Sequence, residues 1–124
     1  MEKGSCFVLK KFFFVLLFST VVFAQNPPLP ASYEVVTLNN TAAGIGFTST
    51  TLTVNGQQMR TCSGTLETAA IRFRIDGLAA PTAANGTPLS VGQFIQIDGF
   101  ISLTKFRGIR QTGTSGVIRF TCSR

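Results

Sequence analysis

The chain has 124 residues, with 11 Lys and Arg against 5 Asp and Glu, a formal net charge of +6, three cysteines and no histidine. The missing histidine excludes Ser-His-Asp and Cys-His nucleophiles, imidazole bases and imidazole metal ligands. The cationic excess permits an anionic partner without demanding one.

Lys3, Lys10 and Lys11 precede an apolar run from Phe12 to Phe23, and Val22 and Ala24 are the small residues a signal peptidase needs before Gln25. The run is about twelve residues long, where a membrane-spanning helix needs roughly twenty. Residues 1–24 are therefore expected to be a cleaved signal peptide, with an uncleaved anchor as the competing reading. No stable membrane span is expected after cleavage, and no lipid-attachment cysteine follows the cut. The expected location is secreted, periplasmic or cell-surface. The mature part keeps eight basic residues (Arg60, Arg72, Arg74, Lys105, Arg107, Arg110, Arg119, Arg124) against Glu34, Glu67, Asp76 and Asp98, a net charge of about +4.

Residues 25–32 hold Asn-Pro-Pro-Leu-Pro, which cannot enter a helix or a sheet interior and is expected to be an extended tether. Residues 33–124 are then one domain, of a size suited to a single core. Its runs are short and rich in Val, Ile, Phe and Thr: Tyr33–Leu38, Gly46–Val54, Met59–Leu66, Ala70–Ile75, Gln93–Ile97, Phe106–Gln111 and Val117–Cys122. Between them stand Asn55-Gly56, Asp76-Gly77, Asn85-Gly86 and Asp98-Gly99, all turn chemistry. The pattern predicts an all-β fold, a single antiparallel β-sandwich of about seven to eight short strands. No window keeps helical periodicity for three turns.

Period-two alternation assigns faces within these strands. Ile71, Phe73 and Ile75 share one side and leave Arg72 and Arg74 on the other. Ile118, Phe120 and Cys122 point inward, with Val117, Arg119 and Thr121 outward. Phe47, Phe73, Phe94, Phe100, Phe106 and Phe120 are all expected in the core, with Phe100 the most exposed of them. Cys6 leaves with the signal, so Cys62 and Cys122 remain as an even pair in an oxidising compartment. Their disulfide would pin the third strand to the last; two free buried thiols are the other possibility.

The segment Leu-Glu-Thr-Ala-Ala-Ile-Arg-Phe-Arg-Ile-Asp-Gly from Leu66, the segment Thr-Pro-Leu-Ser-Val-Gly-Gln-Phe-Ile-Gln-Ile-Asp-Gly from Thr87, and Phe-Arg-Gly-Ile-Arg-Gln-Thr-Gly-Thr-Ser-Gly from Phe106 occur in that order. Together they resemble a group of small uncharacterised proteins encoded in tailed-phage structural gene clusters. The first segment also resembles the hairpin signature of the β-sandwich appended to chitobiase-like glycosidases. Both resemblances imply a sandwich; the first implies a virion-type structural role and the second a carbohydrate-binding accessory module.

Chemistry for catalysis is sparse. A glycosidase needs two carboxylates about 5–9 Å apart in a cleft with aromatic platforms, whereas the mature chain holds four acids, no Trp and one Tyr. Asp76 and Asp98, each in an Ile-Asp-Gly triplet, have the form of strand-end turn residues, with an acid–base or calcium-ligand pair as the sharper reading. Two cysteines make no zinc site, and no cofactor or metal is expected. The arginines carry the one functional hint. Arg72, Arg74, Arg119, Lys105, Arg107 and Arg110 form a candidate basic binding face for a protein partner, self-association or an anionic glycan; the plain reading is a solvated outer sheet. Nucleic acid is not expected, because aromatic residues for base stacking are not interleaved with the cations. The expected function is that of an exported, non-enzymatic structural or interaction protein, a surface or virion-associated assembly component, with the glycan-binding module as the second reading.

Overall fold

The structure is a computed structural model, which describes residues 31–124. The expected signal peptide and residues 25–30 of the expected tether lie outside the described residues. Nine strands and two short helices follow one another: β1 Ser32–Leu38, α1 Ser49–Leu52, β2 Thr53–Val54, β3 Gln57–Gln58, β4 Thr61–Leu66, β5 Ile71–Arg74, β6 Thr87–Leu89, β7 Phe94–Asp98, α2 Phe100–Lys105, β8 Arg107–Arg110 and β9 Gly116–Ser123. The fold is mostly β, with antiparallel sheets packed together. A four-stranded sheet runs in the order β1-β9-β4-β7, a three-stranded sheet in the order β6-β5-β8, and β2-β3 is a small ribbon.

Alternation builds the core between the two larger sheets. Val36 and Leu38 of β1, Leu66 of β4, Ile95 and Ile97 of β7, and Ile118 and Phe120 of β9 are buried from one side. Ile71 of β5 and Leu89 of β6 meet them from the other, and Leu103 of α2 and Phe106 close one end. Phe106, Phe120 and the half-buried Phe47 form an aromatic cluster with centroids 4.7–5.7 Å apart, in the tilted and edge-on arrangements that ring quadrupoles favour.

The two sheets exchange chain at a corner. β4 pairs with β9, and β5 pairs with β8, yet β4 leads directly into β5 and β8 into β9. Both connections therefore bend from one sheet to the other at the same place. Thr68 closes the gap in the ladder there: its hydroxyl donates to the Ser115 carbonyl at 2.8 Å and accepts the Val117 N–H at 2.9 Å. Glu67 N–H bonds Val117 O on one side of the bend, and Gln111 N–H bonds Ala70 O on the other. Gly116 is required at this corner, because a Cβ there would stand 2.2 Å from Ile71 Cγ2 and 2.9 Å from Ala69 O.

The disulfide joins Cys62 and Cys122, which face each other in the β4–β9 register with Cα atoms 4.1 Å apart. Both are fully buried. The expected pinning of these strands is present, and a disulfide of this kind belongs to an oxidising, extracytoplasmic environment. No helix among the described residues is long and apolar enough to cross a membrane.

Three expectations change. The run Gly46–Val54 is not one strand: Ile45 makes an isolated bridge to Gly108, Ser49–Leu52 is a helical turn, and β2 turns into β3 at Asn55-Gly56, where both φ angles are positive. Thr48 N–H is taken by the Glu34 carboxylate, a tertiary contact that diverts this Thr-rich run from the sheet its propensity favours. Phe94 is not core. Ile95 and Ile97 claim the inward side of β7, which leaves Phe94 63% exposed, while Phe100 packs against the core. Ile75 lies past the end of β5 and is exposed, so it does not share the buried side of Ile71.

Candidate functional site

The side of the four-stranded sheet that faces away from the core is open. Its cross-strand rows follow from the register: Tyr33, Thr121, Ser63 and Gln96 in one, and Val35, Arg119, Thr65 and Phe94 in the next. Tyr33, Val35 and Phe94 are 56%, 43% and 63% exposed, a high degree of exposure for large apolar side chains in regular strands. Arg119 stands at the centre of this face. Its Nε donates to both Glu67 carboxylate oxygens at 3.0 Å, and its Nη1 donates to the Tyr33 hydroxyl at 3.1 Å. The Tyr33 hydrogen bond, then the Glu67 carboxylate, raise the Arg119 pKa above its ordinary value. In water this pairing adds little to stability. What it does is orient: the guanidinium of Arg119 is tied to the Glu67 carboxylate on one side and to the Tyr33 hydroxyl on the other.

The sequence-predicted basic residues divide between the two sheets. Arg72 and Arg74 of β5 and Arg107 of β8 lie on the outer side of the three-stranded sheet, with Arg74 directly opposite Arg107. Arg119 is on the outer side of the other sheet. Arg110 faces Ile71 and so stands at the rim of the inward side, where Nη1 donates to Gly113 O at 2.8 Å. Lys105 closes α2 and is exposed, with its methylenes over Gly77.

Backbone and local acceptors take most of these heads. Arg107 Nη1 donates to the carbonyls of Thr104 and Phe106. Arg72 Nη1 donates to Gly86 O at 2.9 Å, while its buried Nε has no partner among the described residues. Arg74 forms an ion pair with Asp76. That contact, first of all, and the Leu78 N–H together hold the Asp76 carboxyl below the usual carboxylate range.

The two Ile-Asp-Gly triplets end different strands. Asp76 caps the turn after β5, accepting the Leu78 N–H at 3.1 Å. Asp98 ends β7 and accepts from Thr61 Oγ1 and Gln96 Nε2. Beside Asp98 lies an open groove of about 920 Å³ between the β2–β3 ribbon and α2, lined by Gln57, Gln58, Arg60, Asp98, Phe100 and Ile101 among others. Sequence reasoning counted Arg60 among the basic residues but gave no site role to Gln57, Gln58 or Arg60. The signal for them is three long polar side chains among the four residues that follow the Asn55-Gly56 turn, the fourth being Met59, which the core buries. Among the described residues no group of three or more His, Cys, Asp or Glu side chains is placed to hold a metal ion.

No family model, curated protein or solved structure matches the chain.

Proposed function

We propose that the protein is an exported, non-enzymatic β-sandwich that works by protein contact, as a structural or interaction component of a surface or virion-type assembly. The observation that carries this reading is the open outer side of the four-stranded sheet. Tyr33, Val35 and Phe94 stand exposed there around an Arg119 already fixed in direction by Glu67 and Tyr33. Oriented aromatic and guanidinium groups on a rigid sheet lose little conformational freedom on binding, which is why such groups anchor interfaces. The disulfide supports export. The segments that resemble phage structural proteins include the corner at Thr68 and Gly116, so the resemblance supports a shared architecture more directly than a shared partner.

A photo-crosslinking amino acid at Tyr33, and separately at Thr82 on the far loop, tests this in the producing cell. Discrete protein adducts from position 33 and none from position 82 are expected; no adduct from position 33 overturns the reading. The groove favours the second reading, a glycan-binding module, because amides, a guanidinium and a carboxylate line it beside Phe100 and Ile101. Binding on a glycan array that Arg60→Ala and Asp98→Ala abolish would transfer the function there.

A further inference from the structure

We infer that β7 is a self-association strand, through which two copies of this chain join their four-stranded sheets into one eight-stranded sheet. The proposal rests on the reading of the protein as an interaction component and names its first partner.

The hydrogen-bond phase of the β4–β7 ladder is set at both ends. Leu66 N–H donates to Gln93 O at 3.1 Å, and Gly99 N–H donates to Arg60 O at 2.6 Å. In an antiparallel pair, bonded positions alternate. Ile95 and Ile97 therefore turn their backbone groups toward β4, whereas Phe94, Gln96 and Asp98 turn theirs to the open edge. No backbone N–H or C=O of those three residues has a partner among the described residues.

Natural sheets protect such edges with prolines, covering segments or inward charges. The other flanks of this fold carry such devices. β6 is three residues long and includes Pro88, which offers no N–H. On the β8 side Ile45 bridges to Gly108. Beside β1 runs the segment that enters α1, tied by Glu34 to Thr48 and by Ser32 to Thr51 O. β7 carries no proline and no lysine, and no segment bonds to its outer edge among the described residues.

The edge is also self-complementary. A two-fold axis through Gln96 sets Gln96 opposite its own copy and Phe94 opposite Asp98 of the second copy, so that every outward-turned backbone group finds a mate. Val91, in the turn before β7, and Ile101, in α2 directly after it, lie beyond the two ends of the ladder in each copy. These two, 52% and 67% exposed, and Phe94 are three of the large apolar side chains left in water, gathered within one stretch of chain. Charge does not oppose the pairing. The only ionised side chain on β7 is Asp98, and this register holds the two Asp98 residues four positions, about 13 Å, apart, beyond the screening length of about 8 Å. A ladder of five residues alone falls short of the roughly 800 Å² per partner of a stable interface. The expected dimer is accordingly a weak, concentration-dependent one.

The test uses the mature, disulfide-bonded chain. Sedimentation equilibrium from about 1 μM to 1 mM should show a monomer–dimer equilibrium, and at the dimeric end the amides of Phe94, Gln96 and Asp98 should exchange at least tenfold more slowly. Gln96→Lys, which places two cations opposite each other at the axis and leaves the inward side of β7 untouched, should weaken dimerisation at least tenfold with little change in melting temperature. Gln96→Pro, which removes the central edge N–H, should do the same without added charge. A monomer at every concentration, or a dimer that both variants leave intact with those three amides still in fast exchange, overturns the proposal. A monomer that still crosslinks to another protein from position 33 overturns the β7 inference alone, whereas a dimer with no other adduct leaves the inference standing and removes the wider reading.

Discussion

Reducing the Cys62–Cys122 bond is the perturbation with the most calculable outcome. The bond spans 60 residues of sequence. In the chain-entropy model, closing such a loop removes about 14 cal/mol/K from the unfolded ensemble, about 4 kcal/mol at 25 °C. A domain of this size unfolds with an entropy of about 0.2 kcal/mol/K, so the reduced protein should melt about 20 °C below the oxidised one. Reduction is a cleaner perturbation than substitution, because both sulfurs are fully buried and their removal would add a cavity cost. Calorimetry of the mature chain, which lacks Cys6, with and without reductant reads the shift, and thiol titration under denaturing conditions must find none before reduction and two after. The urea m-value should rise as well, since the freed chain expands on unfolding. A shift below about 8 °C with reduction complete would refute the reasoning, and would mean that the β4–β9 ladder persists in the unfolded chain or that the native state is strained by the bond.

Other predictions concern single residues. Gly116→Ala should destabilise by about 3 kcal/mol, because its Cβ meets Ile71 and the Ala69 carbonyl and neither can withdraw without opening the corner; a denaturation midpoint unchanged from the parent would show that the corner has slack. Arg72→Ser should cost about 1–2 kcal/mol and Arg72→Met less than half of that, since the half-buried stem packs and Nη1 holds Gly86 O while Nε gains nothing; equal urea midpoints for the two variants would count against it. For Asp76, whose folded pKa is depressed chiefly by Arg74, the contribution is fully present above the unfolded value of about 3.9 and is lost as pH falls through the folded one. Asp76→Asn should therefore lower the urea midpoint by a small, constant amount from about pH 5 to pH 7 and converge with the parent as pH falls through the folded pKa, which flattens the profile below about pH 4.

Much of the fold is legible in the residues because most strands alternate cleanly. Tyr33–Leu38 and Val117–Cys122 match β1 and β9 closely, and the inward position of Cys122 agrees with the pairing expected from the even count of Cys62 and Cys122. β7 was equally legible: Phe-Ile-Gln-Ile-Asp admits one buried side with both isoleucines, and only the habit of placing phenylalanine in cores conceals it. The Gly46–Val54 segment was not legible, since β-branched residues favour a strand there until Glu34, fourteen positions earlier, captures the Thr48 amide. Arg72, Arg74 and Arg119 could be assigned to outer faces but not to one face. Which sheet a strand joins depends on the corner at Thr68 and Gly116, and period-two patterns carry no information about corners.

The position of β9 has a consequence for timing. It comes after every other strand in the chain, yet it lies between β1 and β4, and it carries the partner of Cys62. Until it arrives, β1 has no neighbour in its sheet, β4 and β7 form only an isolated ribbon, and the corner lacks one of its two bends. Long-range pairing of this kind pays its loop-closure cost before any contact rewards it. A chain with this order gains its sheet, its cross-link and its corner together, once the β9 segment is available to pair.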